Sequence, residues 1–97
     1  MHEWDKYLTR LPEGNPRTLG QLLRTMRKEA GFTQVDMAKK VGLSRETVIN
    51  IEKDWPETIF ALEAIVVRKW RSACGLRMTI NTIGAYKTVM MQYFKLV

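Results

Sequence analysis

The chain has 97 residues, 45% of them hydrophobic and 27% charged, with a formal net charge of +6. That length and apolar content fit one domain with one small core, and exclude a disordered chain. No apolar run reaches the length of a membrane span, and a single cysteine, Cys74, excludes an internal disulfide.

The opening stretch, EWDKYLTRL, spaces Trp4, Tyr7, Leu8 and Leu11 at i, i+3, i+4 and i+7, the pattern of a short amphipathic helix. It lacks the apolar stretch of a signal peptide, and with the lone cysteine this makes the reducing cytoplasm the expected location. PEGNPR then breaks the helix. Thr18 can cap a helix whose apolar face is Leu19, Leu22, Leu23 and Met26, with Gly31 at its C′ position. Thr33 can cap another, with Asp36 three residues on in a capping-box-like place. That helix runs to about Lys40, and Gly42 supplies a turn. Ser44 can cap the next, which reaches about Lys53. Pro56 and Glu57 suit a first helical turn, and Ile59, Leu62, Ile65, Val66, Trp70 and Ala73 continue one stripe to Gly75.

The period then changes. LRMTI alternates Leu76, Met78 and Ile80 against Arg77 and Thr79, which predicts a strand, and Gly84 ends that segment. An isolated strand cannot satisfy its own backbone groups, and no second strand is legible. Residues 76–82 are therefore expected to pair with the same strand of a second subunit. Tyr86, Val89, Met90, Tyr93, Phe94 and Val97 return to helical spacing. Leu76, Met78, Ile80, Tyr86, Met90, Tyr93 and Phe94 are the residues expected at a dimer interface. The tail's aromatic, Met-rich face also suits a partner protein or closure of the core.

Charge is unevenly placed. Residues 1–63 carry ten Lys/Arg and ten Asp/Glu; residues 64–97 carry six basic residues and no acid. A basic balance favours a polyanionic partner, nucleic acid first, although it also serves plain solubility. Catalysis finds little support. The single His2 and single Cys74 give no metal cluster, and there is no nucleophile–base pair or glycine-rich phosphate loop. No cofactor is expected.

The spacing within FTQVDMAKKVGLSRETVINIE is the most informative feature. From Gln34, Ala38 lies four residues on, Gly42 eight, Val48 fourteen and Ile51 seventeen. A small residue at 38 allows close helix crossing, and Gly42 can take the positive φ of a tight turn. Val41, Val48 and Ile51 can lock two helices together. A second helix held rigidly, with its N-terminal face outward, is what a helix-turn-helix presents to a DNA major groove.

The run LRTMRKEAGFTQVDMAKKVGLSRETVINIE resembles the Cro/cI-type (XRE) helix-turn-helix family over roughly residues 18–72. The likeness rests on the basic first helix, Gly31-Phe32-Thr33-Gln34, Met37-Ala38, Val41-Gly42-Leu43-Ser44, and Val48 followed by Ile51-Glu52. It implies a mainly α, lambda-repressor-like bundle of about five helices, with the short C-terminal strand paired across a dimer. Residues 1–17 would form an extension, 18–75 the DNA-binding domain and 76–97 the dimerisation element. The implied function is a dimeric, sequence-specific repressor that binds double-stranded DNA.

The resemblance also implies roles. Arg45, Glu46, Thr47 and Asn50 face base edges, with Glu46 either accepting from cytosine or orienting Arg45. Thr33, Gln34, Ser44, Lys28, Lys39, Lys40 and Lys53 are the phosphate candidates, Gln34 also bracing the reading helix. Arg27 and Glu52 match a position pair that forms a partly buried ion pair. After Glu52 the family has a glycine two residues on and a longer loop before proline. Here Lys53-Asp54-Trp55-Pro56 shortens it, so a backbone phosphate contact from that loop is not carried over. RSACGLRMTINTI is similar to the tail of HipB-type antitoxin-repressors, which implies an alternative: an antitoxin that represses its own operon and holds a toxin protein.

Overall fold

The computed structural model describes residues 16–94. The helical pattern expected at residues 4–11, and Val97, lie outside them. Among the described residues there are six helices and no strand: α1 (Leu19–Glu29), α2 (Gln34–Val41), α3 (Arg45–Glu52), α4 (Pro56–Ala61), α5 (Ala64–Cys74) and α6 (Ile80–Phe94).

The starts of α1, α2 and α3 follow from local chemistry. Thr18 accepts from the Gln21 N–H, and Ser44 from the Thr47 N–H. Thr33 and Asp36 form a complete capping box, each side chain accepting from the other's backbone N–H. The ends are equally local. Gly31 (φ 80°) follows α1, and Gly42 (φ 75°) closes α2 with its N–H on the Ala38 carbonyl.

α1 forms the centre of the bundle. Leu19, Leu22, Leu23 and Met26 are completely buried, and α1 packs against α3, α5 and α6, while α2 packs against α3 and α5. Trp70, from α5, is also fully buried and donates its indole N–H to the Leu23 carbonyl at 2.9 Å. No helix of the described residues is long and apolar enough to cross a membrane.

Three expectations are corrected. The stripe over 56–75 is not one helix: Leu62 and Glu63 are extended (ψ 122° and 146°) and separate α4 from α5. The predicted strand at 76–82 is absent, and with it the observation that suggested the antitoxin-type tail. Its alternation is not kept in the burial either: of Leu76, Met78 and Ile80 only Met78 is buried. The segment is a turning connector between α5 and the start of α6, with the Arg77 N–H bonded to the Cys74 carbonyl. Glu29 of α1 decides the outcome: its carboxylate accepts from the Thr79 N–H (2.9 Å), the Thr79 hydroxyl (3.3 Å) and the Thr82 hydroxyl (2.9 Å). The Thr79 hydroxyl in turn accepts from the Thr82 N–H, and a helix starts there. Gly84 sits inside α6 and does not end it. Thr82, Val89 and Met90 are buried, with Tyr86 and Phe94 half-buried against the same core, so α6 closes the core of its own chain.

One junction ties α1 to the end of α3. Asp54 adopts a left-handed conformation (φ 57°), at the position where the family has glycine. Its carboxylate accepts from the Thr18 hydroxyl at 2.6 Å and from the Gly20 N–H at 2.8 Å. A Cβ on Gly20 would strike the Ile51 carbonyl oxygen and stand 2.7 Å from Asp54 Oδ1. Gly20→Ala is therefore expected to cost about 1–3 kcal/mol through overpacking. An unchanged urea midpoint would mean that the two helices separate freely there.

Candidate nucleic-acid interface

α2 and α3 are joined by three residues, with Gly42 left-handed and the Leu43 N–H bonded to the Ala38 carbonyl at 2.9 Å. Ala38 is 5% exposed, so the helices cross closely, and Met37, Val41, Val48 and Ile51 lie in the same buried cluster. Val48, Ile51 and Glu52 take the inner face of α3. The rest of that helix is presented outward: Arg45 and Glu46 are exposed, Thr47 and Asn50 half-buried. Thr47 is held near the cap, its hydroxyl 2.9 Å from that of Ser44.

Behind this face lies a polar cluster. Arg27 donates from Nε to Glu52 Oε2 at 2.6 Å and from Nη2 to Oε1 at 2.9 Å. Its Nη1 donates to the Phe32 carbonyl at 2.8 Å, which fixes the turn leading into α2. Gln34 donates to Glu52 Oε1 at 3.3 Å. A two-pronged guanidinium–carboxylate pair is rigid, and it joins α1, the start of α2 and the end of α3. Arg27, Gln34 and Glu52 line one groove together with Arg24, Thr33 and Lys53. Arg24 was missed in the sequence. Its signal was its place three residues before Arg27, on the same side of α1.

Lys28, Lys39, Lys40 and Lys53 are all exposed. Lys40 is partly engaged, with Nζ 4.6 Å above the Phe32 ring. Hydrogen bonds from the backbone and hydroxyl of Thr33, with Lys39 and Lys40 nearby, hold the Asp36 carboxyl below its ordinary range. Of the residues expected at a dimer interface, Leu76, Ile80 and Tyr93 are exposed, Met78 and Met90 are buried in their own chain, and Tyr86 and Phe94 are half-buried. Cys74 is buried, its thiol directed at the Met26 carbonyl (3.4 Å). Burial, with the Glu29 charge, pushes it up to about 11, so it stays protonated at neutral pH.

Residues 20–79 match a family model described as a helix-turn-helix domain. Over 49 residues the chain is 41% identical to the immunity repressor protein of Bacillus phage phi105, covering 50% of this chain and 34% of that protein. Over 32 residues it is 50% identical to an uncharacterized HTH-type transcriptional regulator of Methanothermobacter thermautotrophicus, covering 33% of this chain and 46% of that one. The matched part thus spans less than half of either curated relative. No solved structure matches.

Proposed function

The chain belongs to the Cro/cI-type helix-turn-helix family, and from that premise we propose that it is a sequence-specific DNA-binding transcriptional regulator, acting as a dimeric repressor on an inverted repeat. The observation that carries this reading is α3, an eight-residue helix capped by Ser44 that buries one side and offers Arg45, Glu46, Thr47 and Asn50 on the other. A helix about 10–12 Å across fits a major groove about 12 Å wide.

In this reading the side chains divide by chemistry. Arg45 donates two bonds to guanine, and Asn50 both donates to and accepts from adenine. Thr33, Gln34, Arg24 and Lys53, around one groove, and the exposed Lys28, Lys39 and Lys40 take phosphates. Two copies place their α3 helices about 34 Å apart, one turn of DNA.

Selection of bound duplexes from a random pool at moderate salt tests the proposal. An enriched inverted repeat is expected; the absence of any enriched sequence sinks sequence-specific reading by the chain alone. Once a site is known, Asn50→Ala should cost about 1–3 kcal/mol at one base pair per half-site and relax preference there. Lys39→Ala should weaken all sequences alike and lower the salt slope by about 1. An unchanged base preference in Asn50→Ala would mean that α3 is placed wrongly in the groove.

A further inference from the structure

α6 is apolar on more than the side it buries. Thr82, Val89 and Met90 turn into the core, and α1 is the main neighbour of the helix. Across α6 from them run Ile80, Gly84, Lys87 and Met91, spaced by four, three and four residues, which keeps them on one side. Ile80 is 88% exposed and Met91 55%. Ile83 and Phe94, both half-buried, border the same stripe. A helix that is apolar all round is ordinarily covered on both sides. Gly84 adds a second sign. Glycine inside a helix costs about 1 kcal/mol relative to alanine, and a Cβ at this position would meet nothing within 4 Å. The packing of the described residues therefore does not require it. What the missing side chain leaves is a notch in the middle of the stripe, open to a large ring.

We propose that residues 3–11 of the same chain cover this stripe as an amphipathic helix, with Trp4 in the notch at Gly84. Charge and position select this occupant. Lys87 stands within the stripe, and residues 64–97 hold no acid. A second copy of α6 laid on the first would bring bases together with no acid between them, which disfavours that pairing. The occupant has to bring acids beside apolar side chains, and EWDKYLTRL does both. Trp4, Tyr7, Leu8 and Leu11 share one helical side; Glu3 lies four residues before Tyr7 and Asp5 three before Leu8, so both acids flank it.

Position agrees. α6 starts beside Glu29, at the end of α1, and packs against that helix. Its later turns therefore lie back toward the start of α1, where the described chain begins at the buried Pro16. The steps from Leu11 to Pro16 reach at most about 18 Å, so Leu11 can stand at the Met91 end of the stripe. Trp4 and Leu11 are seven residues apart, as are Gly84 and Met91. Two helices running the same way thus place Trp4 opposite Gly84 when Leu11 stands opposite Met91.

Amide hydrogen exchange and nuclear Overhauser measurements on the full chain, without DNA, test the proposal. Amides of residues 5–11 are expected to exchange at least about tenfold more slowly than in an unstructured chain, and the Trp4 ring to contact the Ile80 and Met91 methyl groups. Gly84→Leu favours the helix but fills the notch, and should abolish both signals. Lys87→Glu should weaken the protection, and Glu3→Lys with Asp5→Lys in the same chain should recover it. Positions 84 and 87 are exposed, so the fold stays intact in these variants, which unchanged exchange at Trp70 and Val89 checks. Free exchange of residues 5–11 overturns the proposal. So do contacts of Trp4 with a different surface, protection that survives Gly84→Leu, or a charge reversal that fails to recover. Mixed labelled and unlabelled copies test the origin of the segment: contacts between copies, from either residues 3–11 or α6, overturn it too. Because no DNA is present, these outcomes are independent of the duplex selection.

Discussion

Replacing Glu52 by alanine is expected to destabilise the protein by about 3–5 kcal/mol, because it leaves a guanidinium buried without its counter-charge. The Arg27 side chain is 10% exposed and that of Glu52 3%, and the pair makes two hydrogen bonds. Alanine removes both acceptors at once. It also removes the partner of Gln34, so the start of α2 loosens along with the end of α3. A small domain has about 5–15 kcal/mol of stability in all, so this one change removes a large part of it. Urea denaturation followed by circular dichroism measures the loss. The double variant Arg27→Met with Glu52→Leu should recover most of it, since an apolar pair of similar volume commonly replaces a buried ion pair at little cost. A loss below about 1 kcal/mol in Glu52→Ala, the size of an exposed pair's effect, would show that water reaches this pair in solution.

Trp70→Ala is expected to cost a comparable amount, about 3–5 kcal/mol, through the cavity it opens between α5 and α1. Trp70 is the largest of the fully buried side chains. The Leu23 carbonyl that it bonds belongs to α1 and keeps a helical partner, so the lost indole bond adds less than the lost volume. Trp70→Phe separates the two effects, because phenylalanine retains most of the packing without the N–H. It should cost less than half as much as Trp70→Ala in the same denaturation. Equal costs would mean that the indole bond, not the ring, holds α5 against α1.

The sequence made α1, α2 and α3 legible because their starts and stops are set by near neighbours. A threonine cap, a capping box and a left-handed glycine each act within about four residues, and the apolar spacing fixes which side turns inward. The errors lie where distant residues decide. The stretch 76–80 alternates apolar and polar letters, but only Met78 turns inward. Whether it becomes a strand depends on a partner, and the one it meets is Glu29, fifty residues earlier in the chain. The break at Leu62 and Glu63 carries neither glycine nor proline, so two helices with nearly matching phase looked like one. Gly20 carries no local signal, and only the Ile51 carbonyl passing over it explains its presence. In the interface, the outward residues of α3 and the Arg27–Glu52 pair were both implied by the family likeness. The groove that gathers Arg24 with Gln34 and Lys53 needed three dimensions.

The Asp54 junction sets the tilt of α3. Asp54 fastens the tail end of α3 to the first turn of α1, and α4 begins immediately beyond it, after Trp55. The Arg27–Glu52 pair grips the same last turn from the other side. A helix of only eight residues held so at one end acts as a short rigid lever. A small displacement at Asp54 is therefore magnified at Arg45, so the aim of the helix is decided at the end away from its cap.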